Sequence, residues 1–354
     1  MHMVVLPGDG IGPEITEATV AVLRTAAQAF QLGLELEHEV IGLESHRRHG
    51  TTVMPGLLER VRAADGMILG PTSTLDYREG DPGQINPSMY FRKELDLFAN
   101  IRPARTYPGL AAKLGQFDLV VVRENTEGFY ADRNMAQGNS ELLVTQDVVV
   151  SMRRITRHCC LRIARSAFEL AERRRRKVTA VHKANVLRIG DGLFLGCCRE
   201  VAREFPEVAL DEIIVDAMMA HVVRDPARFD VCVTTNMFGD ILSDLTAEMS
   251  GSLGLGGSLN AGADLAMAQA AHGSAPDIAG QDVANPLSLV LSAALLLGWH
   301  GRRKNEVRFI EAGRAIEQAV ADAIGAGDST RDLGGRLGTQ AAAAAVAARL
   351  TKRA

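Results

Sequence analysis

The 354-residue chain is poor in cysteine and aromatic residues and has no large excess of charge of either sign. Its five cysteines are odd in number and show no Cys-x-x-Cys spacing, which argues against a disulfide framework and favours buried, reduced thiols. The near balance of 39 basic and 43 acidic residues gives a net charge of −4 and argues against a nucleic-acid or membrane surface.

Long apolar runs are also missing. The longest one, from Leu287 to Trp299, is too short and too interrupted by serine to cross a bilayer. The chain starts without the charged and apolar regions of a secretory signal, so we expect a cytoplasmic protein. With 47% apolar and 23% charged residues, the composition is that of a globular protein, and the length suggests two domains or one large α/β unit.

Short apolar runs alternate with helical patterns along most of the chain. This alternation predicts an α/β fold in which parallel strands are joined by crossover helices. The glycine-rich stretch 251–258 looks like a hinge or boundary. Strands are predicted at 3–6, 34–40, 66–69, 119–122, 141–144, 178–181, 213–215 and 231–234, and helices at 13–30, 191–204 and 240–249.

Two aspartates, Asp240 and Asp244, stand four residues apart after the last of these strands. On a helix this spacing places both carboxylates on one face, where they repel each other unless a cation lies between them. Hard divalent ions such as Mg²⁺ and Mn²⁺ prefer oxygen ligands, so the pair is a candidate metal site. Capping and the helix dipole also favour acidic residues at a helix start, so the spacing alone leaves a structural role open.

Basic residues stand near the ends of predicted strands. Arg102 and Arg123 end or follow apolar segments, where ligand sites of α/β folds usually lie. With Arg92 and the nearby Tyr130 they indicate a polyanionic substrate, because guanidinium groups bind carboxylates in bidentate fashion. Lys183, directly after another strand, suits a general base, although a lysine at the solvated end of a strand is the simpler alternative.

The segment LPGDGIGPE at 6–14 follows the first strand and opens a helix, as a dinucleotide-binding turn does. Its glycines are spaced GxGxG rather than GxGxxG, and the acidic residue that should end the second strand is missing. We therefore reject a Rossmann fold and expect a tight turn before a helix that starts with proline.

Together these motifs resemble the β-decarboxylating dehydrogenases, which include isocitrate, isopropylmalate, homoisocitrate, tartrate and D-malate dehydrogenases. The resemblance covers essentially the whole chain. It rests on LPGDGIGPE, Arg102-Pro103, RENTEGFY, HKANV, TTNMFGDILSD, HGSAPDIAG and Thr330–Gly335. It implies a non-Rossmann α/β fold with two domains and a central cleft. Residues 1–99 plus 253–354 would bind the cofactor, and 100–252 would form the substrate, metal and dimerisation domain with an intersubunit arm at 128–144.

The resemblance also implies roles for individual residues in a homodimer or larger assembly. Lys183 would take the hydroxyl proton and Tyr130 would protonate the enol, with Lys183 and Asp216 reaching the site of the partner subunit. Mg²⁺ or Mn²⁺ would be bound by Asp216, Asp240 and Asp244. The substrate would be bound by Asn86, Ser88, Arg92, Arg102 and Arg123. NAD would be bound by Thr72, Ser73, Asn185, His272, Gly273, Ser274, Ala275, Pro276, Asp277, Ile278 and Asn285.

Asp277 bears on the choice of cofactor. Its carboxylate would repel the 2′-phosphate of NADP at close range, whereas it can hydrogen-bond the free ribose hydroxyls of NAD. NADP-using isocitrate relatives carry a basic residue and a tyrosine in place of Asp277 and Ile278. We therefore expect NAD.

Two departures concern the substrate. Isocitrate enzymes carry serine and asparagine where Asn86 and Ser88 stand, so the polar pair is swapped, and relatives carry glutamate in place of Gln269. The resemblance predicts oxidative decarboxylation of a malate-type (2R)-hydroxy di- or tricarboxylic acid, such as isocitrate, homoisocitrate, tartrate, D-malate or 3-isopropylmalate. Gln269 leaves open a catalytically weak or regulatory isocitrate dehydrogenase-like subunit. A phosphate-recognising hydroxy-acid dehydrogenase is disfavoured, because it would use histidine metal ligands.

Overall fold

The computed structural model describes residues 1–78, 80–81, 83–111, 114–130, 135 and 140–351. The chain divides into two compact units. The first comprises Met1–Leu95, Thr106–Ala112 and Ser250–Ala354, and the second comprises Asp96–Arg105 and Lys113–Met249. The domain boundaries and domain roles inferred from the sequence stay predictions.

The strands, in chain order, are β1 (His2–Leu6), β2 (Glu35–His38), β3 (Gly66–Leu69), β4 (Ala99–Arg105), β5 (Asp118–Glu124), β6 (Glu141–Thr145), β7 (Val148–Ser151), β8 (Lys177–His182), β9 (Ala209–Ile214), β10 (Val231–Thr234), β11 (Leu259–Ala261) and β12 (Ala266–Gln269). The helices are α1 (Gly12–Ala29), α2 (Gly42–His49), α3 (Leu57–Ala63), α4 (Pro87–Glu94), α5 (Arg157–Glu172), α6 (Gly190–Ala202), α7 (Val215–Arg224), α8 (Asn236–Met249), α9 (Leu287–Lys304), α10 (Val307–Gly325) and α11 (Thr339–Thr351).

In the first unit the strand order is β2-β1-β3-β12-β11. β1 pairs in parallel with β2 and β3, β3 pairs in parallel with β12, and only the β11–β12 pair is antiparallel among these. Every residue of β3 and β12 is buried, as expected for parallel strands covered on both faces. α9 packs on β12, and α1 packs on α9 and α11.

In the second unit the strand order is β4-β5-β10-β8-β9. β5, β10, β8 and β9 are parallel, but β4 is antiparallel to β5, which departs from the parallel sheet expected from the sequence. Among the described residues no helix joins β4 to β5, and a parallel connection usually needs one. α5 packs on β5, β8 and β10, while α8 packs on β4, β5 and β10.

β6 and β7 form a separate antiparallel hairpin, and every residue of both strands is exposed. Of the predicted arm at 128–144, residues 131–134 and 136–139 lie outside the described residues. All five cysteines are buried free thiols. No helix within the described ranges is long and apolar enough to cross a membrane.

Candidate active site

Four of the predicted substrate, catalytic and metal residues of the second unit lie at or after the carboxyl ends of its parallel strands. Arg123 lies near the end of β5, Lys183 follows β8, Asp216 follows β9, and Asp240 lies in the first turns of α8 after β10. Since these strands are parallel neighbours, the four side chains start from one edge of the sheet, where α/β folds bind ligands.

Asp240 and Asp244 lie on successive turns of α8, and both face Arg102. The Arg102 Nη1 is 2.9 Å from Asp244 Oδ1 and 3.4 Å from Asp240 Oδ1. Its Nη1 also donates to Ser243 Oγ at 2.8 Å, and its Nε donates to Asn100 Oδ1 at 2.6 Å. Burial, followed by the neighbouring Arg123, lowers the pKa of Arg102. The Arg102 guanidinium is thus fixed by polar contacts and lies next to the carboxylates of Asp240 and Asp244.

Arg123 is the second cation of this cluster and is only 1% exposed. It contacts Asp240 Oδ1 through Nη1 and donates from Nε to Asn236 Oδ1 at 2.8 Å. A Cβ at Gly239 would lie 2.7 Å from the Arg123 side chain, so glycine is required where α8 crosses it. The small residue in the NMFGD motif therefore makes room for a buried arginine.

Tyr130 completes the cluster. Its hydroxyl donates to Asp240 Oδ2, and the Arg123 guanidinium lies 5.2 Å from the centre of its ring. Burial, opposed by Arg102, raises the pKa of Asp244, and the charge of Asp240 raises it further. Two carboxylates, two guanidinium groups and a phenol thus share one region of the second unit.

The donor set of this region suits a hard divalent ion, because Asp240 and Asp244 offer only oxygen and their side chains are 34% and 52% exposed. Within the described residues, no three His, Cys, Asp or Glu side chains are arranged to hold a metal. One chain therefore supplies two of the three predicted ligands together, and the ligation by Asp216 stays a prediction about the partner subunit.

Lys183 and Asp216 form their own pair at the same sheet edge. The Lys183 Nζ donates to Asp216 Oδ1, and this hydrogen bond lowers the pKa of Asp216. Exposed apolar side chains follow in the same loop, with Val186 65% and Ile189 92% exposed, and Asn185 is also exposed. Such side chains are typical of a surface that another protein covers.

The predicted substrate residues of the first unit lie on α4. Ser88 Oγ donates to Gln269 Oε1 at 3.2 Å, and Arg92 Nη2 donates to the same oxygen at 2.7 Å. Asn86 caps α4, since its Oδ1 accepts the backbone N–H groups of Ser88 and Met89. The side-chain carbonyl of Asn86 is therefore engaged by the helix. Gln269 connects Ser88 and Arg92.

The predicted cofactor residues come from separate loops, one of which contacts Asp9. Ser73 Oγ and Ser274 Oγ are 2.8 Å apart, and Thr72 directly precedes Ser73 in the chain. The Asp9 carboxylate accepts the backbone N–H of Ser73 at 3.0 Å and of Leu43 at 2.8 Å, together with the Tyr77 hydroxyl. Asp9 of the first βα turn thus connects the predicted cofactor loop at 72–73 to α2.

The loop at 272–278 is fixed by the same turn. Ile11 N donates to Ser274 O at 2.8 Å, and a Cβ at Gly10 would lie 2.0 Å from that oxygen. Asp277 is exposed in a short 3₁₀ turn over Pro276–Ile278, and Ala275 precedes it with a positive φ of 37°. Burial lowers the pKa of His272, whose Nδ1 bonds the Gly273 carbonyl at 3.0 Å.

Asn285 is held by the late motif at 330–335. Its Nδ2 donates to Asp332 Oδ2 at 2.9 Å, and that carboxylate also accepts the hydroxyls of Ser252 and Thr330. Sequence reasoning missed the structural roles of Asp9 and Asp332, as well as a buried pair, Arg153 and Asp191. Asp9 and Asp332 lie in motifs that the sequence analysis singled out, but their partners Ser73 and Asn285 are distant in sequence.

Comparisons with known proteins show the family to which this chain belongs. A sequence profile described as isocitrate/isopropylmalate dehydrogenase matches residues 2–347. The chain belongs to the isocitrate/isopropylmalate dehydrogenase family. It is 40% identical to 3-isopropylmalate dehydrogenase of Archaeoglobus fulgidus over 98% of this chain and 99% of that protein. It is 41% identical to isocitrate dehydrogenase [NAD] catalytic subunit 5, mitochondrial, of Arabidopsis thaliana, over 93% of this chain and 83% of that protein.

A solved structure confirms the predicted fold class. Isocitrate dehydrogenase from Methylococcus capsulatus superposes with a TM-score of 0.86 at 38% identity, over 99% of both chains. This member of the isocitrate/isopropylmalate dehydrogenase family is therefore an oxidoreductase that acts on CH–OH groups, as predicted. Its family acts on small hydroxy acids, which it decarboxylates oxidatively, and uses NAD(P) and a divalent metal.

Proposed function

We propose that this protein catalyses the NAD- and Mg²⁺- or Mn²⁺-dependent oxidative decarboxylation of a malate-type (2R)-hydroxy di- or tricarboxylic acid. The observation that supports it best is the cluster of Arg102, Arg123, Tyr130, Asp240 and Asp244. Buried guanidinium groups suit substrate carboxylates, and the more exposed aspartates suit a divalent ion. An ion held by Asp240 and Asp244 would polarise the substrate oxygen and stabilise negative charge on it.

The protein side chains have distinct tasks in this proposal. Arg102 and Arg123 orient the substrate carboxylates, with Arg92 contributing from α4. Lys183, reaching in from the neighbouring subunit, would take the hydroxyl proton, and NAD would supply the hydride acceptor when bound. After carbon dioxide leaves, the Tyr130 hydroxyl supplies the proton to the enol carbon. The contact of Tyr130 with Asp240 holds that hydroxyl at the acidic pair before substrate arrives.

The contacts of Gln269 favour a polar third substituent on the substrate. The Ser88 hydroxyl and the Arg92 guanidinium both hydrogen-bond to the side-chain amide of Gln269. An isopropyl group placed against them would remove water from these groups without replacing its hydrogen bonds. A carboxylate or hydroxyl would replace them. We therefore place isocitrate, homoisocitrate and tartrate ahead of 3-isopropylmalate, while D-malate, which carries only hydrogen at this position, stays a candidate.

The exposed carboxylate of Asp277 supports NAD over NADP, because it would repel a 2′-phosphate. Equal use of both dinucleotides would refute this choice. The exposed β6–β7 hairpin, with Leu143 71% and Val149 60% exposed, supports a homodimer or larger assembly. A monomer by sedimentation equilibrium under assay conditions would contradict the assignment of Lys183 and Asp216 to the partner's site.

The test of the function is NADH formation with Mn²⁺ or Mg²⁺ on D-malate, the tartrate isomers, isocitrate, homoisocitrate and 3-isopropylmalate. We expect turnover of at least one substrate with a polar third substituent, and loss of turnover when metal is chelated. Turnover of 3-isopropylmalate alone would contradict the polar-substituent proposal. Absence of turnover with all of them would favour the regulatory subunit that Gln269 left open.

A further inference from the structure

Arg153 joins segments of the second unit that carry residues of the proposed mechanism. Its Nη1 donates to Asp191 Oδ1 at 2.5 Å, and its Nη2 donates to Thr235 Oγ1 at 3.0 Å. Asp191 is completely buried, Thr235 is 4% exposed, and the side chain of Arg153 is 10% exposed. A guanidinium fork that serves two buried partners at once fixes their separation.

Asp191 extends this connection to the catalytic lysine. While its Oδ1 accepts the Arg153 guanidinium, its Oδ2 accepts the backbone N–H of Lys183. Asp191 lies in the first turn of α6, and its own N–H donates to the Leu187 carbonyl at 3.0 Å. The carboxylate therefore fixes the backbone position from which the Lys183 side chain extends.

Aromatic contacts connect Arg153 to the segments that carry Tyr130 and Asp240. Its guanidinium carbon lies 5.5 Å from the ring centre of Phe129 and 5.4 Å from that of Phe238, within the range of cation–π attraction. Phe129 directly precedes Tyr130 in the chain, and Phe238 stands two residues before Asp240. One guanidinium thus contacts the Tyr130 segment and the first turn of α8.

The backbone at Arg153 is itself fixed at the base of the hairpin. Gly128 N donates to Arg154 O at 3.0 Å, and Arg154 N donates to Gly128 O at 3.1 Å. The chain that leaves through Gly128 and returns through Arg154 is therefore closed beside Tyr130. This pair restrains the backbone from which the Arg153 side chain extends.

We propose that Arg153 and Asp191 are positioning residues, whose buried ion pair holds Lys183, Tyr130 and the start of α8 in one arrangement. This inference rests on the roles given to Lys183 and Tyr130 in the proposed function. A buried ion pair is a poor way to gain stability alone, since apolar residues of similar volume do as well. The ion pair contacts the segments that carry Lys183, Tyr130 and Asp240, and these contacts give it a positioning role.

Arg153→Met should lower kcat by about 100-fold, the cost of a misplacement on the order of 1 Å, and leave KM for NAD unchanged. Arg153→Lys should restore part of kcat, because lysine keeps the charge toward Asp191 but lacks the fork that also reaches Thr235. Rescue by lysine, together with a kcat effect that spares KM, distinguishes positioning from a general loss of structure.

The Arg174–Asp230 pair provides a matched control in the same unit. Arg174 Nε is 2.7 Å from Asp230 Oδ1, and Asp230 is 1% exposed. Asp230 directly precedes β10, so this pair lies at the opposite edge of the sheet from Lys183. Arg174→Met should lower the midpoint of thermal unfolding and leave kcat unchanged.

Measurements are made on full-length protein, below the unfolding midpoint of each variant, with the hydroxy acid that the wild type oxidises fastest. Where Arg153→Met fails to fold, the double variant Arg153→Met/Asp191→Asn removes the unpaired buried charge and keeps an acceptor for Lys183 N–H. A folded Arg153 variant with wild-type kcat, or an equal kcat loss in Arg174→Met, overturns the positioning role. No turnover by the wild type on any hydroxy acid instead overturns the proposed function itself.

Discussion

Replacement of Asp9 by asparagine tests whether the first βα turn positions the cofactor loops. Asp9 is 6% exposed and accepts the backbone N–H groups of Ser73 and Leu43 and the hydroxyl of Tyr77. Burial, followed by the hydrogen bond to Asp9, raises the pKa of Tyr77, so this hydroxyl stays protonated and donates. The carboxylate thus serves three donors that a single amide oxygen cannot serve.

Whichever way the amide of Asp9→Asn is turned, its NH₂ group faces one of the two backbone N–H groups. Leaving a buried donor unsatisfied costs roughly 1–3 kcal/mol, and hydrogen bonds to a charged acceptor are each stronger than neutral ones by about 1 kcal/mol. We expect the free energy of unfolding to fall by about 3 kcal/mol. If about 1.4 kcal/mol of this is lost in ordering the Ser73 loop, KM for NAD rises about tenfold.

The assay combines urea unfolding followed by circular dichroism with initial rates of NADH formation at varied NAD and at varied hydroxy acid. The matched control is Asp65→Asn, since Asp65 accepts one backbone N–H, that of His2, at 2.9 Å. The control should lose no more than about 1.5 kcal/mol and keep its KM for NAD. A destabilised Asp9→Asn enzyme with wild-type KM for NAD would show that the turn stabilises the fold without positioning the cofactor loops.

Three further predictions concern single side chains. Asp240→Asn should abolish metal-dependent NADH formation, and normal turnover would show that the metal assignment is wrong. Gln269→Glu places a negative charge against Arg92 and should raise KM for the hydroxy acid about tenfold, or about 1.4 kcal/mol, whereas an unchanged KM would remove Arg92 from the substrate site. Burial lowers the pKa of His182 below its ordinary value of 6.5, and its Nδ1 accepts the Ala184 N–H. As the pH falls below about 6.5, the unfolded chain therefore binds a proton at His182 before the folded protein does. The free energy of unfolding decreases until the pH reaches the folded-state pKa. His182→Asn keeps a hydrogen-bond acceptor but cannot bind the proton, so it should lose less stability between about pH 7.5 and about pH 5 in urea unfolding. An undiminished loss of stability would show that other groups cause it.

Buried parallel strands were visible in the sequence because their signal is local. Gly66–Leu69 and Val231–Thr234 are continuous apolar runs, and they form β3 and β10 with the predicted bounds. β4 was not predicted, since Ala99–Arg105 contains Asn100, Arg102 and Pro103, which disfavour a strand. Pairing with β5 and the hydrogen bond between Arg102 and Asn100 outweigh that local preference.

The site was predictable where its geometry follows from one helix. The spacing of Asp240 and Asp244 placed them on one face of α8, and both carboxylates do face Arg102. The buried pair of Arg153 and Asp191 gave no such signal, because 38 residues separate them and each alone reads as an ordinary helix or strand end. Contacts of this kind are set by the tertiary fold and leave no periodicity in the sequence.

Overall similarity does not decide the substrate of this protein. Relatives named for 3-isopropylmalate and for isocitrate or homoisocitrate are each 40% identical to it over nearly the whole chain. That identity reflects the shared fold and the shared hydroxyl oxidation, whereas in the proposed site the third substituent would meet only a few side chains. In this chain Gln269 accepts from both Ser88 and Arg92, where a glutamate would add a charge. Because a neutral acceptor leaves the positive charge of Arg92 in place, these contacts favour an anionic or hydrogen-bonding substituent over an aliphatic one.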